Sequence, residues 1–273
     1  MKKKVDKKNT KKRNILFIVI VLSLLAGLTF YKLQNSHNIT IDYQEPNKAQ
    51  DKTTLDLLKK EGVNEVVMDI INNLFIIPEP IYLTYGVDGG PEYYPTTHRI
   101  IMPYSFIQEV EQRFVDNKYA ETGVSVKTAT MDVVIHTVLH ELAHALIHIY
   151  DLPIVVKEED AADALATLLL IKFFEDGQEI AITAADIFEL ESKDTKNFEA
   201  SDFWDDHSLD VQRYYNTLCI VYGSSPEEYT ELITDAKFSD EKAEQCIDDY
   251  EQLYFSWAKL LKPHLKNTQS FKF

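Results

Sequence analysis

The chain has 273 residues and a formal net charge of −16 at pH 7, and this charge is distributed very unevenly. Residues 1–13 carry eight Lys or Arg and one acid, a net +7, so the rest of the chain carries −23. Because a body this acidic repels phosphate backbones, nucleic acid is excluded as a partner.

An uncharged, apolar stretch follows the basic head. Its seventeen residues, 15–31, match the lower limit of length for a membrane-spanning helix. The stretch ends without the small-x-small pattern of a cleavage site. It therefore predicts one N-terminal transmembrane helix, with the basic residues in the cytoplasm and the body outside it. A cleaved secretory signal is the alternative, and it would release the body as a secreted protein.

The charge and hydropathy pattern divides the chain into three segments. We predict a basic cytoplasmic head at 1–14, a transmembrane anchor or signal sequence at 15–34, and one extracytoplasmic domain at 35–273. The last segment is long enough to bury one sizeable core.

The elements of the body form two groups in chain order. Apolar residues that alternate with polar ones predict strands at 39–43, 81–86 and 98–104, and the Gly and Pro content of 87–95 predicts a loop. The remaining segments have helical patterns, the first with a break or bend at Gly62: 54–75, 105–119, 127–149, 159–175, 178–190, 207–222 and 240–262. The prediction is an α+β fold, mostly helical, with a small N-terminal part that contains the strands.

Four histidines at four-residue intervals mark the helix at 127–149: His136, His140, His144 and His148. Only one pair has a Glu directly after its first member, in the order His140-Glu141-Leu-Ala-His144. H-E-x-x-H on a helix directs both imidazoles at one zinc ion. The Glu then lies beside the open coordination position, where it can take a proton from metal-bound water. We expect the two outer histidines to be structural, with His148 the closer of them to the site.

A catalytic zinc needs a third protein ligand. The metzincin extension is absent, because its Gly and final His would fall at Ile147 and Tyr150. The next helix offers Glu159 and, one turn later, Asp163. An acid at a helix start such as Glu159 is also explained by the helix dipole. Asp163 lies deeper among leucines, where a buried acid needs a partner, and the second ring nitrogen of a metal-bound His would supply one.

The order H-E-L-A-H followed by E-x-x-x-D resembles the gluzincin zinc peptidases, the thermolysin-like group. This resemblance implies a zincin-like active-site helix followed by a glutamate helix. It implies His140, His144 and Glu159 as ligands of one Zn²⁺, Glu141 as general base, and Asp163 as support for a ligand. A closer resemblance covers nearly the whole body and is to a family of uncharacterised metallopeptidases. The segments that carry it are IPEPIYLTYG, YYPTTHRIIMPY, HELAHALI, EEDAADALATLLL and FWDDHSLDVQRYYN.

Two further features bear on peptide hydrolysis. In the segment 203–216, His207 is the candidate for donating a hydrogen bond to the tetrahedral intermediate, with a tyrosine of the same segment as the alternative. A helix cap with core aromatics would explain the segment without any catalytic role. We also expect the strand at 98–104 to be an edge strand that pairs with an extended substrate.

The only two cysteines are Cys219 and Cys246, on two predicted helices joined by a turn. An exported domain with two cysteines has one possible pairing, so we predict a disulfide between them.

The sequence as a whole predicts a hydrolase: a single-pass, membrane-anchored zinc metallopeptidase with its catalytic domain outside the cytoplasm and a peptide or protein as substrate. Two alternatives stay open: an exported zinc-binding interaction protein without turnover, and a zinc hydrolase of a non-peptide amide.

Overall fold

The computed structural model describes residues 38–271. The anchor or signal sequence predicted at 15–34 lies outside this range. Across the described range, no helix is both long and apolar enough to cross a membrane.

A four-stranded mixed sheet forms in the N-terminal part. Strands β1 (Ile39–Tyr43), β2 (Ile81–Tyr85) and β4 (Arg99–Met102) run parallel, and β3 (Glu92–Tyr94) pairs antiparallel with β4. The strand order β1-β2-β4-β3 leaves β3 at one edge. Two details of the prediction are wrong. The segment 87–95 is not all loop, because it contains β3, and β4 is internal because β2 and β3 occupy both of its sides.

The rest of 38–271 is mostly helical, which confirms the predicted α+β class. The predicted helix at 54–75 is two helices, because Gly62 between them adopts a left-handed φ of 65° that glycine tolerates well. The helix predicted at 207–222 begins only at Asp210, so His207 lies in a loop. The helices are α1 (Ala49–Glu61), α2 (Val63–Leu74), α3 (Tyr104–Asp116), α4 (Val126–Ile149), α5 (Glu158–Phe173), α6 (Gly177–Ser192), α7 (Asp210–Ser224), α8 (Glu231–Asp235) and α9 (Asp240–Leu261).

Helix α4 lies at the centre of the fold. It begins after Ser125, whose hydroxyl accepts a hydrogen bond from the backbone N–H of Thr128 at 3.1 Å. It packs against β3, α2, α3, α5 and α6, so most of its circumference is covered. Its polar side chains His136, His140 and Glu141 are only 2%, 5% and 5% exposed. Because buried polar groups need partners, these three residues indicate a cluster of polar groups in the interior beside α4.

Helices α7 and α9 are joined by a disulfide between Cys219 and Cys246, whose Cα atoms lie 5.0 Å apart. The predicted pairing is confirmed. Gly223 allows this close approach, because a Cβ atom at that position would overlap the carbonyl of Cys246. The bond therefore fixes the C-terminal helix to the element that follows His207.

Loss of this bond should lower the stability of the protein and leave its fold unchanged. Replacing both cysteines with Ser should lower the free energy of unfolding by roughly 3–4 kcal/mol, because the open chain gains entropy when unfolded. Urea unfolding of residues 35–273, followed by circular dichroism, measures this difference. Reduced wild-type protein should unfold at the same urea concentration as the double variant. Equal stability of the oxidised wild type and the double variant would contradict the prediction.

Candidate metal centre

Helices α4 and α5 bring three potential ligand atoms to one point. The Nε2 atoms of His140 and His144 lie 3.1 Å apart, and they lie 3.1 and 3.2 Å from Oε2 of Glu159. A tetrahedral zinc ion with bonds of about 2.0–2.1 Å holds its ligand atoms about 3.3 Å apart. The triangle formed by these atoms therefore fits one zinc-sized ion, and the donor set of two imidazoles and one carboxylate suits zinc.

His207 approaches the same carboxylate from the loop before α7. Its Nε2 lies 3.0 Å from Oε2 of Glu159, and its Nδ1 lies 3.6 Å from Asp205. Lys157, which precedes α5, donates hydrogen bonds to the backbone carbonyls of Asp205 (2.7 Å) and His207 (3.3 Å). This ammonium holds the loop against the start of α5 and keeps His207 beside the centre.

Two sets of three residues can therefore surround an ion, and both contain His140 and Glu159. The set completed by His207 has its ligand atoms within 4.8 Å of one another. The set completed by His144 has three nearly equal separations, as given above. The side chain of His144 is also 12% exposed, against 48% for His207. The set with His144 is the better fit to one ion, and it leaves His207 facing the open side.

Carboxylates hold the outer nitrogens of both helix histidines. Nδ1 of His140 lies 2.7 Å from Asp163, and Nδ1 of His144 lies 2.8 Å from Glu158. These contacts fix both rings with Nε2 toward the common point. Burial disfavours the charged form of His140, but its hydrogen bonds with Asp163 and Glu159 raise its pKa to about 9. The surroundings therefore favour positive charge at this point.

Arg213 on α7 supports the centre, a role that its position in the sequence did not predict. Its Nε and Nη2 donate hydrogen bonds to the two carboxylate oxygens of Asp163 at 2.7 and 2.9 Å. Its guanidinium also lies 3.8 Å from the ring centroid of Phe188. Burial acts to raise the pKa of Asp163, but Arg213 and His140 hold it well below its usual range. Arg213 thus keeps Asp163 ionised and oriented toward His140.

Replacement of Asp163 tests this chain of contacts. Asp163→Asn should weaken zinc binding about 10- to 100-fold, because the amide supports the His140 ring less well and loses its charge pair with Arg213. Zinc affinity is measured by competition with a chelator of known affinity. Asp160→Asn on the same helix is the matched control and should bind zinc as the wild type does. Wild-type affinity in Asp163→Asn would make Asp163 an ordinary helix acid.

The centre lies at the base of an open cleft of about 740 Å³. His140, Glu141 and His144 form part of its lining, the strand β3 contributes Tyr93, and the 204–207 loop contributes His207. Burial raises the pKa of Glu141, and the neighbouring histidines of the centre oppose this effect. Glu141 is therefore a buried carboxylate that faces both the ligands and the cleft.

The two outer histidines of α4 have different surroundings. His148 is exposed, and its ring contacts those of Tyr93 and His98, with centroids 6.1 and 6.0 Å apart. His136 is buried and lines a small cavity together with His140 and Glu141. His136 therefore shares a cavity with two residues of the centre, whereas His148 contacts Tyr93 of the cleft lining.

The comparisons with known proteins give one match, to a family model. No curated protein and no solved structure matches the chain significantly. A family model with the description "Putative metallopeptidase" matches residues 43–261, a range that includes every residue of the centre. Because this match covers most of the chain, the protein belongs to that metallopeptidase family.

Proposed function

We propose that the protein is a zinc-dependent metallopeptidase in which His140, His144 and Glu159 hold one Zn²⁺. The observation that carries this proposal is the near-equilateral triangle of their ligand atoms, with separations of 3.1, 3.1 and 3.2 Å, beside the buried carboxylate of Glu141. Zinc bound there would acidify a water molecule and polarise the carbonyl of a substrate.

The residues around the ligands have complementary roles in this proposal. Glu141 accepts a proton from the attacking water and delivers it to the leaving amine. The N–H of His207 donates a hydrogen bond to the carbonyl oxygen as negative charge develops on it. Asp163 and Arg213 act only through His140, whose ring they orient.

We propose a peptide as the substrate, because an edge strand borders the cleft. The edge strand β3 (Glu92–Tyr94) lies along the cleft, and Glu92 and Tyr93 contribute to its lining. An edge strand has backbone N–H and C=O groups that can pair with an extended chain. We therefore propose that β3, and not the internal strand β4, pairs with the substrate, because β3 is an edge strand of the sheet.

We also propose that the catalytic domain acts outside the cytoplasm, attached to the membrane by the apolar segment 15–31. Two observations support this location. The head is basic, as is typical of the cytoplasmic flank of an anchor. The Cys219–Cys246 bond is of a kind that persists in oxidising compartments.

The proposal is tested by metal analysis combined with a peptide-library digest of residues 35–273. The wild type should bind one zinc ion and cleave internal peptide bonds. His140→Ala, His144→Ala and Glu159→Ala should lose zinc, whereas His207→Ala should keep it and turn over substrate more slowly. Zinc binding without cleavage of any peptide would instead support a binding protein or a hydrolase of other amides. If His144→Ala retained zinc and His207→Ala lost it, the third ligand would be His207 and not His144.

A further inference from the structure

The lining of the open cleft is strongly acidic. Among the described residues that form it are six acids and one cationic side chain, that of Lys157. Histidines that bind a metal are neutral, so one Zn²⁺ and this ammonium together offset three of the six negative charges. The cleft would therefore stay negative with its metal bound. The acids are Glu92, Glu141, Glu158, Glu159, Asp205 and Asp206.

Three of these acids are exposed and have no Lys or Arg partner among the described residues: Glu92, Asp205 and Asp206. Lys157 does not neutralise them, because its ammonium donates hydrogen bonds to the backbone carbonyls of Asp205 and His207 at 2.7 and 3.3 Å. A cleft lined by charges of one sign focuses their field and attracts ligands of the opposite sign. The cleft should therefore attract cations.

The side chain of Glu141 gives separate evidence that a ligand enters the cleft. This residue is only 5% exposed, and it lines the cleft. Its carboxylate forms no hydrogen bond or ion pair within 38–271, and its oxygens keep some accessible surface. A buried polar group without a partner is uncommon in a folded protein. A ligand in the cleft, or water bound to the metal, would supply that partner.

Trp204 adds an aromatic surface to the same lining. Its side chain is 76% exposed, so the ring gives up most of the stabilisation that burial would provide. The face of an indole ring attracts the charged ends of Lys and Arg, more strongly than other aromatic rings do. Because Trp204 directly precedes Asp205 and Asp206, the ring and two of the exposed carboxylates lie on one loop.

We infer that the cleft selects cationic peptides, with Glu92 and Asp206 attracting Arg or Lys side chains near the scissile bond and Trp204 stacking on one of them. This inference rests on the proposed function and names its substrate class. Glu92 belongs to β3, the strand proposed to pair with the substrate, and opposite charges on paired strands stabilise each other. The same carboxylates would repel acidic peptides.

The first experiment measures the charge preference of cleavage. A peptide identified in the library digest is made in three forms, with Arg, Gln or Glu on both sides of the cleaved bond. At low ionic strength, kcat/KM of the Arg form should exceed that of the Gln form about 10-fold, with the Glu form slowest. In 1 M salt, where charges are screened beyond about 3 Å, the preference should fall to about 2-fold or less. Equal cleavage of the three forms at low salt would overturn the inference and leave the peptidase activity intact.

Two double variants locate the preference. Glu92→Gln/Asp206→Asn should keep its zinc and lose most of the preference for the Arg form. Glu109→Gln/Asp69→Asn removes the same two charges from exposed helix positions outside the cleft lining, and it should keep the preference. An equal fall in both variants would attribute the preference to the overall acidity of the protein. That result, or an unchanged preference in the cleft variant, would overturn the inference.

The second experiment does not depend on catalysis. The probes are the peptide Ala-Arg-Ala-Arg-Ala and its Gln and Glu counterparts, added to zinc-free protein. Tryptophan fluorescence follows binding, because Trp204 is exposed and the other tryptophan, Trp257, is only 4% exposed. We expect the Arg peptide to bind about 10-fold more tightly than the Gln peptide. This preference without cleavage of any peptide would uphold the cationic ligand and refute the peptidase function, whereas equal binding would refute the inference.

Discussion

Glu141→Gln is expected to reduce peptide cleavage by about 10²–10⁴-fold and to leave the zinc content at one ion per chain. The amide has nearly the same shape as the carboxylate but cannot accept the proton of the attacking water. Because Glu141 is outside the proposed ligand set, its replacement leaves all three ligand atoms in place. Steady-state kcat with a peptide identified in the library digest, measured beside the zinc content of the same sample, gives both quantities.

Measuring kcat and zinc content together distinguishes two ways in which the role assigned to Glu141 could be wrong. A variant that loses zinc would show that Glu141 is a ligand or is needed to hold one. A variant that keeps both zinc and full activity would show that another group accepts the proton. The thermal transition of the zinc-bound variant should match that of the wild type or exceed it, because burial disfavours the charge of this carboxylate.

Glu159→Ala is expected to release the metal completely, with loss of all activity. Oε2 of Glu159 lies within 3.0–3.2 Å of Nε2 in each of His140, His144 and His207, so it is the atom that these side chains share. Removing it leaves two histidine ligands on α4, which is fewer than any ordinary structural or catalytic zinc site uses. Zinc per chain after exhaustive dialysis is the measurement.

The preceding residue supplies a matched control. Glu158 is an acid of the same helix turn and also contacts His144, but through the outer Nδ1 atom at 2.8 Å, and its side chain is 53% exposed. Glu158→Ala should therefore keep one zinc ion and lose at most about 10-fold in affinity. One equivalent of zinc in Glu159→Ala, or its loss from Glu158→Ala, would show that the wrong glutamate has been assigned.

The parts of the centre that follow from helix geometry were predictable. His140 and His144 share a face of α4 because they are four residues apart, and Glu141 is fixed beside them by the same helical period. The next helix was the natural place for a further acid, and Glu159 lies there. The Cys219–Cys246 bond was predictable for a different reason, since two cysteines allow one pairing.

The parts that depend on tertiary packing were not predictable. Arg213 lies 50 residues from Asp163 along the chain, and nothing local indicates that the two side chains meet. Strand β3 has three residues in a segment rich in Gly and Pro, and it forms because β4 offers it hydrogen-bond partners. The different surroundings of His136 and His148 depend likewise on which elements pack against each end of α4.

The carboxylates of Asp163 and Glu158, which hold the outer nitrogens of the two histidines, should affect how the protein takes up a metal ion. Asp163, held by Arg213, and Glu158 orient the rings of His140 and His144 through contacts made entirely by protein groups. The site is therefore preorganised, and a chelator should strip the metal reversibly without unfolding the domain. In this it differs from zinc fingers, whose folding depends on the metal. The proposed metallopeptidase should therefore fold before it takes up its metal ion.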